Sequence, residues 1–246
     1  MALLVALTLL TLVRVPLPRA TTARDHGAAV AWYPAVGYLL GGALALLDLG
    51  LRHTRLSAFV IAALLVAALA LLTGFLHLDG LIDTCDAVFV QRTRAERLRI
   101  ARDPRAGAFG AIGVMLLLSL KVALLAGPLT GSRASIILCF PALARLIMAA
   151  AVVLLPAAHD PSGLGGAVKE HTRRWTLPVA VLVAVVPACV LLRWEALALI
   201  AGTLIGGTPV AILALRRLGG TTGDIYGAIC ECAEVGALIA AALLTP

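Results

Sequence analysis

Long apolar stretches, separated by short charged loops, dominate the pattern of this chain. Seven of them are close to the roughly 20 residues that a helix needs to cross a hydrocarbon core of about 30 Å. They cover residues 29–50, 56–76, 107–127, 134–156, 177–193, 195–215 and 227–245. Because the stretches are unbroken, with no alternation of apolar and polar positions, the pattern predicts an all-α, polytopic transmembrane helix bundle.

A shorter apolar stretch opens the chain at residues 1–13. About a dozen apolar residues are too few for a span, so we expect an interfacial or re-entrant segment. The stretch lacks the basic n-region and the cleavage site of a signal peptide, which favours its retention. With no internal repeat and no long polar region, residues 1–246 are predicted to form a single membrane domain.

Composition agrees with a membrane protein, since 61% of the residues are hydrophobic and only 13% are charged. The net charge of +7 comes from arginines in short loops, which argues against a nucleic-acid-binding face. If residues 14–28 are cytoplasmic, that side receives 14 Lys and Arg residues and the opposite side only 4. This asymmetry satisfies the positive-inside rule.

Three aspartates, Asp79, Asp83 and Asp86, directly follow the second apolar stretch. On a helix, their spacings of four and three residues place the carboxylates on one face. Such close like charges repel, so they need a cation, and oxygen ligands beside a phosphate favour Mg²⁺. The alternative is a solvated acidic cap. The preceding His77 is predicted to contact substrate as a hydrogen-bonding neighbour; the alternative is a metal ligand or a proton carrier.

A second acidic group lies near the end of the chain. Gly223 belongs to a glycine-rich turn whose backbone can approach a ligand, and Asp224 begins the helix that contains the last predicted span. Glu231 and Glu234 lie inside that span, where an unpaired charge is costly. These glutamates therefore need a cation, a proton or an arginine. The alternative is that they are protonated and hydrogen-bonded within the bundle.

Basic residues between the two acidic groups suit phosphate binding. Arg102 and Arg105 flank Asp103 just before a glycine-bearing helix start, and arginine forks bind phosphate oxygens in pairs. Cations beside carboxylates indicate metal-assisted phosphoryl chemistry. Arg145 lies inside the span 134–156 and needs a carboxylate or a substrate phosphate as partner, unless it snorkels to the surface.

The order and spacing of these motifs resemble those of the cobalamin synthases, or adenosylcobinamide-GDP ribazoletransferases. The resemblance covers nearly the whole chain. It includes Arg14-Val15-Pro16, the segment from Thr73 to Asp86, the segment from Arg102 to Gly110, Arg145, and Gly219-Gly220-Thr221-Thr222-Gly223-Asp224 with Glu231 and Glu234.

This resemblance implies a transferase in the cytoplasmic membrane of a bacterium or archaeon, with its active site facing the cytoplasm. It would join adenosylcobinamide-GDP to α-ribazole or α-ribazole 5′-phosphate and release GMP. By the same resemblance, Asp79, Asp83 and Asp86 would hold Mg²⁺ on the diphosphate. Asp224, Glu231 or Glu234 would complete a metal site or accept the hydroxyl proton. The remaining expected partners are membrane lipid and, as an open question, a second copy of the chain.

Two other functions remain open at this point. A CDP-alcohol phosphatidyltransferase also arrays aspartates at a membrane surface, but Asp83-Thr84 stands where its motif has Ala-Arg. A cation or proton transporter would use intramembrane charges such as Glu231, Glu234 and Arg145 as pathway residues. Transporters often have repeated halves and charges near mid-bilayer in several spans. Here most charges lie at one face.

Overall fold

A computed structural model describes residues 1–103, 105–129, 133–158 and 164–244. These residues form helices joined by loops. The helices are α1 (Ala2–Leu10), α2 (Ala23–Ala29), α3 (Tyr33–Leu51), α4 (Ala58–Leu72), α5 (Leu76–Phe89), α6 (Arg94–Ile100), α7 (Ala108–Ala126), α8 (Arg133–Leu154), α9 (Leu164–His171), α10 (Thr176–Leu192), α11 (Glu195–Leu218) and α12 (Gly223–Leu243). A 3₁₀ turn, Val30–Trp32, links α2 to α3.

The predicted all-α membrane bundle is confirmed. Five helical segments are long and apolar enough to span a bilayer, and the number rises to seven if each of two bent helix pairs is one span. The predicted spans correspond to α3, α4, α7, α8, α10, α11 and α12, although residue 245 lies outside the described residues. The N-terminal α1 has only nine residues, too few to cross, and its Val5, Ala6 and Leu10 are buried.

The second predicted span does not run straight into the aspartates, contrary to expectation. Gly74 and Phe75 both have a φ of 60°, in the left-handed region, and α5 turns by 90° from α4. Leu12 packs against Gly74, and its backbone N–H donates to the carbonyl of Leu72 at 2.9 Å. The N-terminal segment therefore abuts the bend, and α4 is left with only 15 residues, about 22 Å.

The most buried spans, α8 and α12, form the centre of the bundle. Helix α11 packs closely on α12, because an added Cβ at Gly202 would lie 2.3 Å from the carbonyl oxygen of Gly236. Small residues allow such close backbone contact in membranes.

An ion-pair group fixes one end of the bundle. Asp48, near the end of α3, accepts hydrogen bonds from Arg52 at 3.0 Å and from Arg133, at the start of α8, at 3.0 and 3.1 Å. The end of α3 and the start of α8 therefore meet at the same end. The start of α12 and the end of α8 meet at the other end, where the backbone N–H of Thr221 donates to the carbonyl of Pro156.

Candidate active site

The two acidic groups of the sequence meet where α5 packs on the first turn of α12. Gly80 of α5 has no room for a side chain, because an added Cβ would lie 2.6 Å from the carbonyl oxygen of Asp224. Thr222 caps α12 by accepting from the N–H of Ile225. Asp83 lies close enough to Asp79 and Asp224 for their charges to interact. Residues about 140 positions apart in the chain thus share one acidic site.

A cavity of about 280 Å³ opens beside this acidic site. Its polar wall combines carboxylates, basic groups and hydroxyls from four parts of the chain, namely α5, the loop after α6, α9 and the start of α12: His77, Asp79, Arg102, Lys169, Thr222, Asp224 and Tyr226. Leu9 and Leu10 of α1 contribute to its apolar wall. The volume lies just below the 300–1,000 Å³ of typical small-molecule pockets. It suits a nucleoside-sized or diphosphate group rather than a whole corrinoid.

A buried ion network lies behind the cavity wall. The ammonium of Lys121 on α7 donates to Glu231 at 2.6 Å and also contacts Glu234, while Arg145 on α8 donates to Glu234 at 2.6 Å. Arg145 also lies 3.5 Å from Nδ1 of His77. All five side chains are almost completely buried. Two cations thus balance two carboxylates where three spans meet.

Lys121 was missed by the sequence analysis, although it is the one charged residue of the predicted span 107–127. A lone lysine in a span requires a carboxylate partner just as the glutamates require a cation. The structure places Glu231 and Glu234, both predicted to complete a metal site or accept the hydroxyl proton, in this network and not among the residues that line the cavity. Of the three carboxylates considered as the proton acceptor, Asp224 lines the cavity.

His77 bridges the network and the cavity. It lines the cavity, yet its Nε2 is buried without a hydrogen-bond partner in the described part of the chain. Gly227 of α12 lies against its backbone, since an added Cβ there would be 3.0 Å from the Cα of His77. The contact between His77 and substrate stays a prediction.

Asp86 differs from the prediction that it holds a metal. Its carboxylate oxygens accept hydrogen bonds from the backbone N–H groups of Gly107 at 2.7 Å and Gly110 at 2.9 Å, where α7 begins. The residue is buried and thus anchors the start of α7 to α5. Asp79 is exposed and Asp83 partly exposed, so only two of the three predicted carboxylates face outward.

The carboxylates are not assembled into a metal-binding cage. Within the described ranges, no group of three His, Cys, Asp or Glu side chains is placed to hold a metal ion. No ion pair found among those residues involves Asp79, Asp83 or Asp224. Mg²⁺ is commonly bound by one or two carboxylates together with waters and substrate phosphates. The three acids fit that incomplete type of site.

The loop after α6 holds Asp103 and Arg105 at the surface as a bidentate pair, with hydrogen bonds of 3.0 and 2.9 Å. These bonds from Arg105 lower the pKa of Asp103 to about 2. Neither residue lines the cavity, whereas Arg102 does. The structure therefore separates these three predicted substrate-binding residues, and Pro104 between them lies outside the described residues.

Two arginines of α6 have structural roles that the sequence analysis did not assign. Arg94 donates to the carbonyl of Leu218 at 2.7 Å, at the end of α11. Arg97, which is buried, donates to the carbonyls of Ala87 and Val88, at the end of α5. Cations near helix C-termini interact favourably with the free carbonyls there. These contacts hold α6 against the ends of α5 and α11, next to the site.

The fold and the site together define a polytopic helical membrane protein with an acidic and basic cavity at one end of the bundle. The family model described as cobalamin-5-phosphate synthase matches residues 2–242. The chain therefore belongs to the cobalamin-5-phosphate synthase family, which confirms the resemblance. No solved structure matches the chain.

Relatives from distant bacteria cover nearly the whole chain. The adenosylcobinamide-GDP ribazoletransferase of Ectopseudomonas mendocina (strain ymp) is 40% identical over 242 residues, which is 97% of each chain. The one of Desulfitobacterium hafniense (strain Y51) is 38% identical over 245 residues, covering 96% of this chain and 94% of the relative. The one of Roseiflexus sp. (strain RS-1) is 34% identical, covering 98% and 89%.

Proposed function

We propose that this protein joins adenosylcobinamide-GDP to α-ribazole, or to its 5′-phosphate, with release of GMP. The observation that carries the proposal is the meeting of Asp79 and Asp83 with Asp224 beside a cavity that also contains Arg102 and Lys169. Membership of the cobalamin-5-phosphate synthase family supports this reaction over a phosphatidyltransferase or a transporter.

In the proposed reaction, a ribose hydroxyl oxygen attacks the phosphorus attached to the cobinamide, and the bond from that phosphorus to the GMP oxygen breaks. Asp224 lines the cavity and would take the hydroxyl proton. Arg102 would bind phosphate oxygens and GMP as it leaves. Gly223, exposed at the start of α12, leaves room for the substrate to approach the free N–H groups of that helix.

Asp79 and Asp83 would hold Mg²⁺ together with the substrate diphosphate, while Asp86 stays on its backbone partners. Bound Mg²⁺ would neutralise charge on the phosphate oxygens. Without a cation, three carboxylates beside a diphosphate would repel it, so the acids and the substrate both favour divalent metal.

We place the site on the cytoplasmic side of a cytoplasmic membrane. Fourteen of the 18 cationic residues outside the span interiors fall on the predicted cytoplasmic side, which is also the side of Asp79 and Asp224. Both polar substrates would reach the cavity from that side. Whether the chain acts as a homo-oligomer stays a prediction.

The test is turnover by the purified chain in nanodiscs. Adenosylcobinamide-GDP and α-ribazole are supplied with and without Mg²⁺, and GMP release and the corrinoid product are quantified together. We expect Mg²⁺-dependent release of one GMP per product. Asp83→Asn should abolish turnover with normal membrane insertion, whereas Glu195→Gln, at the start of α11 and far from the cavity, should not. Near-normal turnover of Asp83→Asn would remove the proposed role of the acids.

A further inference from the structure

A second cavity lies on the membrane-facing side of the bundle, away from the acids. It is a groove of about 750 Å³ between α7 and α11, with α12 as its floor and α5 at one end. Nearly all its surface is apolar, and exposed side chains such as Leu116 and Ile205 form its rims. Because both rims belong to candidate spans, the groove opens sideways toward lipid.

One face of α11 follows the groove from Ala198 to Leu213. These 15 residue steps correspond to about 22 Å, longer than the roughly 15 Å that half of a 30 Å hydrocarbon core provides. The groove is therefore long enough to take an acyl chain of one leaflet along its full length. Small residues on this face, such as Ala201, keep it open.

The same helix face carries a cation directly beyond the groove. Arg217 lies one turn after Leu213 and, with Arg92, lines a shallow polar depression at the groove's end. Phe89, which lines the groove, is three residues before Arg92. The depression also contains Arg97, which caps α5, and Glu96, whose carboxylate accepts hydrogen bonds from Thr93. Three cations against one carboxylate leave it positive.

We propose that this groove is a specific site for an anionic phospholipid. An acyl chain would fill the groove along α11, and the phosphate group would bind Arg92 and Arg217 at the interface. The apolar groove matches the acyl chain of such a lipid, and the two arginines at its end match the phosphate group. Basic residues beside a membrane segment attract anionic headgroups, each contributing about fivefold in binding.

Native mass spectrometry tests the proposal without use of the enzyme reaction. The purified full-length chain is delipidated in detergent and titrated with equal amounts of phosphatidylglycerol and phosphatidylcholine that have identical acyl chains. We expect phosphatidylglycerol to be retained by roughly 25-fold preference, about fivefold for each arginine. The preference should fall with rising salt, because exposed charges are screened.

Matched variants separate the site from general surface charge. Arg92→Gln with Arg217→Gln should abolish the preference, whereas Arg99→Gln with Arg216→Gln, the same change of charge at exposed positions outside the depression, should keep it. Filling the groove with Ala201→Phe should lower retention of both lipids. Leu197→Phe, exposed and outside the groove, should not.

Three results would overturn the proposal. Equal retention of the two lipids by the unmodified chain would show that no anionic site exists. An equal loss in both double variants would show that only overall charge matters. A dimer that retains no lipid and is broken by Ala201→Phe would assign the groove to a second copy of this chain.

Discussion

Replacing Lys121 by methionine should destabilise the bundle strongly. The network contains two cations, Lys121 and Arg145, and two carboxylates, Glu231 and Glu234, so its formal charge is zero. Without the ammonium, Arg145 still balances Glu234, but Glu231 is left as an uncompensated buried charge. Removing one partner of a buried ion pair costs about 3–5 kcal/mol. Methionine matches lysine in length, so lost packing contributes little.

The second half of the prediction is that a paired change restores stability. In Lys121→Met with Glu231→Leu, one cation and one carboxylate remain, and no charge is unpaired. Replacing a whole buried pair by apolar residues is often neutral or stabilising. We therefore expect a coupling of at least about 2 kcal/mol between the two positions.

The assay is thermal unfolding in detergent. Samples are heated to a series of temperatures, and size-exclusion chromatography measures the fraction that stays folded. The single variant should lose about 10 °C in Tm, and the double variant should regain most of it. Interhelical hydrogen bonds in membranes average only about 0.6 kcal/mol. If Lys121→Met lowers the free energy of unfolding by only about 0.6 kcal/mol, the charge balance derived from the structure is refuted. It is also refuted if the double variant is no more stable than the single one.

Three further predictions concern the site. Gly80→Ala should lower turnover about a hundredfold, because the new Cβ forces α5 away from Asp224, whereas Gly50→Ala, with nothing within 4 Å, should leave turnover unchanged. Asp86→Asn should cost about 2 kcal/mol in thermal unfolding, because one backbone N–H at the start of α7 loses its acceptor. Asp103→Asn should change kcat/KM by the same factor from about pH 6 to 9. The pKa of Asp103 is lowered to about 2, so its carboxylate stays ionised throughout this pH range and would lose its pairing with Arg105 only as the pH falls through about 2. A ratio of variant to unmodified kcat/KM that changes with pH between about 6 and 9 would contradict this prediction.

The positions of the spans, and the fact that the two acidic groups lie together, could be predicted from the sequence. Span length and loop charge depend on composition over about 20 residues, and both survive errors of a few residues at each boundary. The meeting of Asp83 with Asp224 follows from topology, because each aspartate lies at a span end on the same predicted side. Neither inference needs the packing of individual side chains.

Details that depend on packing were not predictable in this way. Asp86 has the same helical spacing as its neighbours, yet it binds backbone amides because α7 begins beside it. The role of Glu231 changed for a similar reason, since only the packing of α7 on α12 reveals Lys121 as its partner. Periodicity assigns a face to each residue, but the partner on that face comes from another helix.

The bend at Gly74 and Phe75 explains why the acids can be tolerated together. A straight continuation of α4 would carry Asp86 about 20 Å beyond the end of α4, since Asp86 lies 14 residues after Leu72. The 90° turn instead lays α5 across the starts of α7 and α12. Helix N-termini are positive, so two of them offset the carboxylates on α5 and favour the phosphates of a substrate. The left-handed backbone at the bend thus creates an electrostatic site that a longer, straight span could not form.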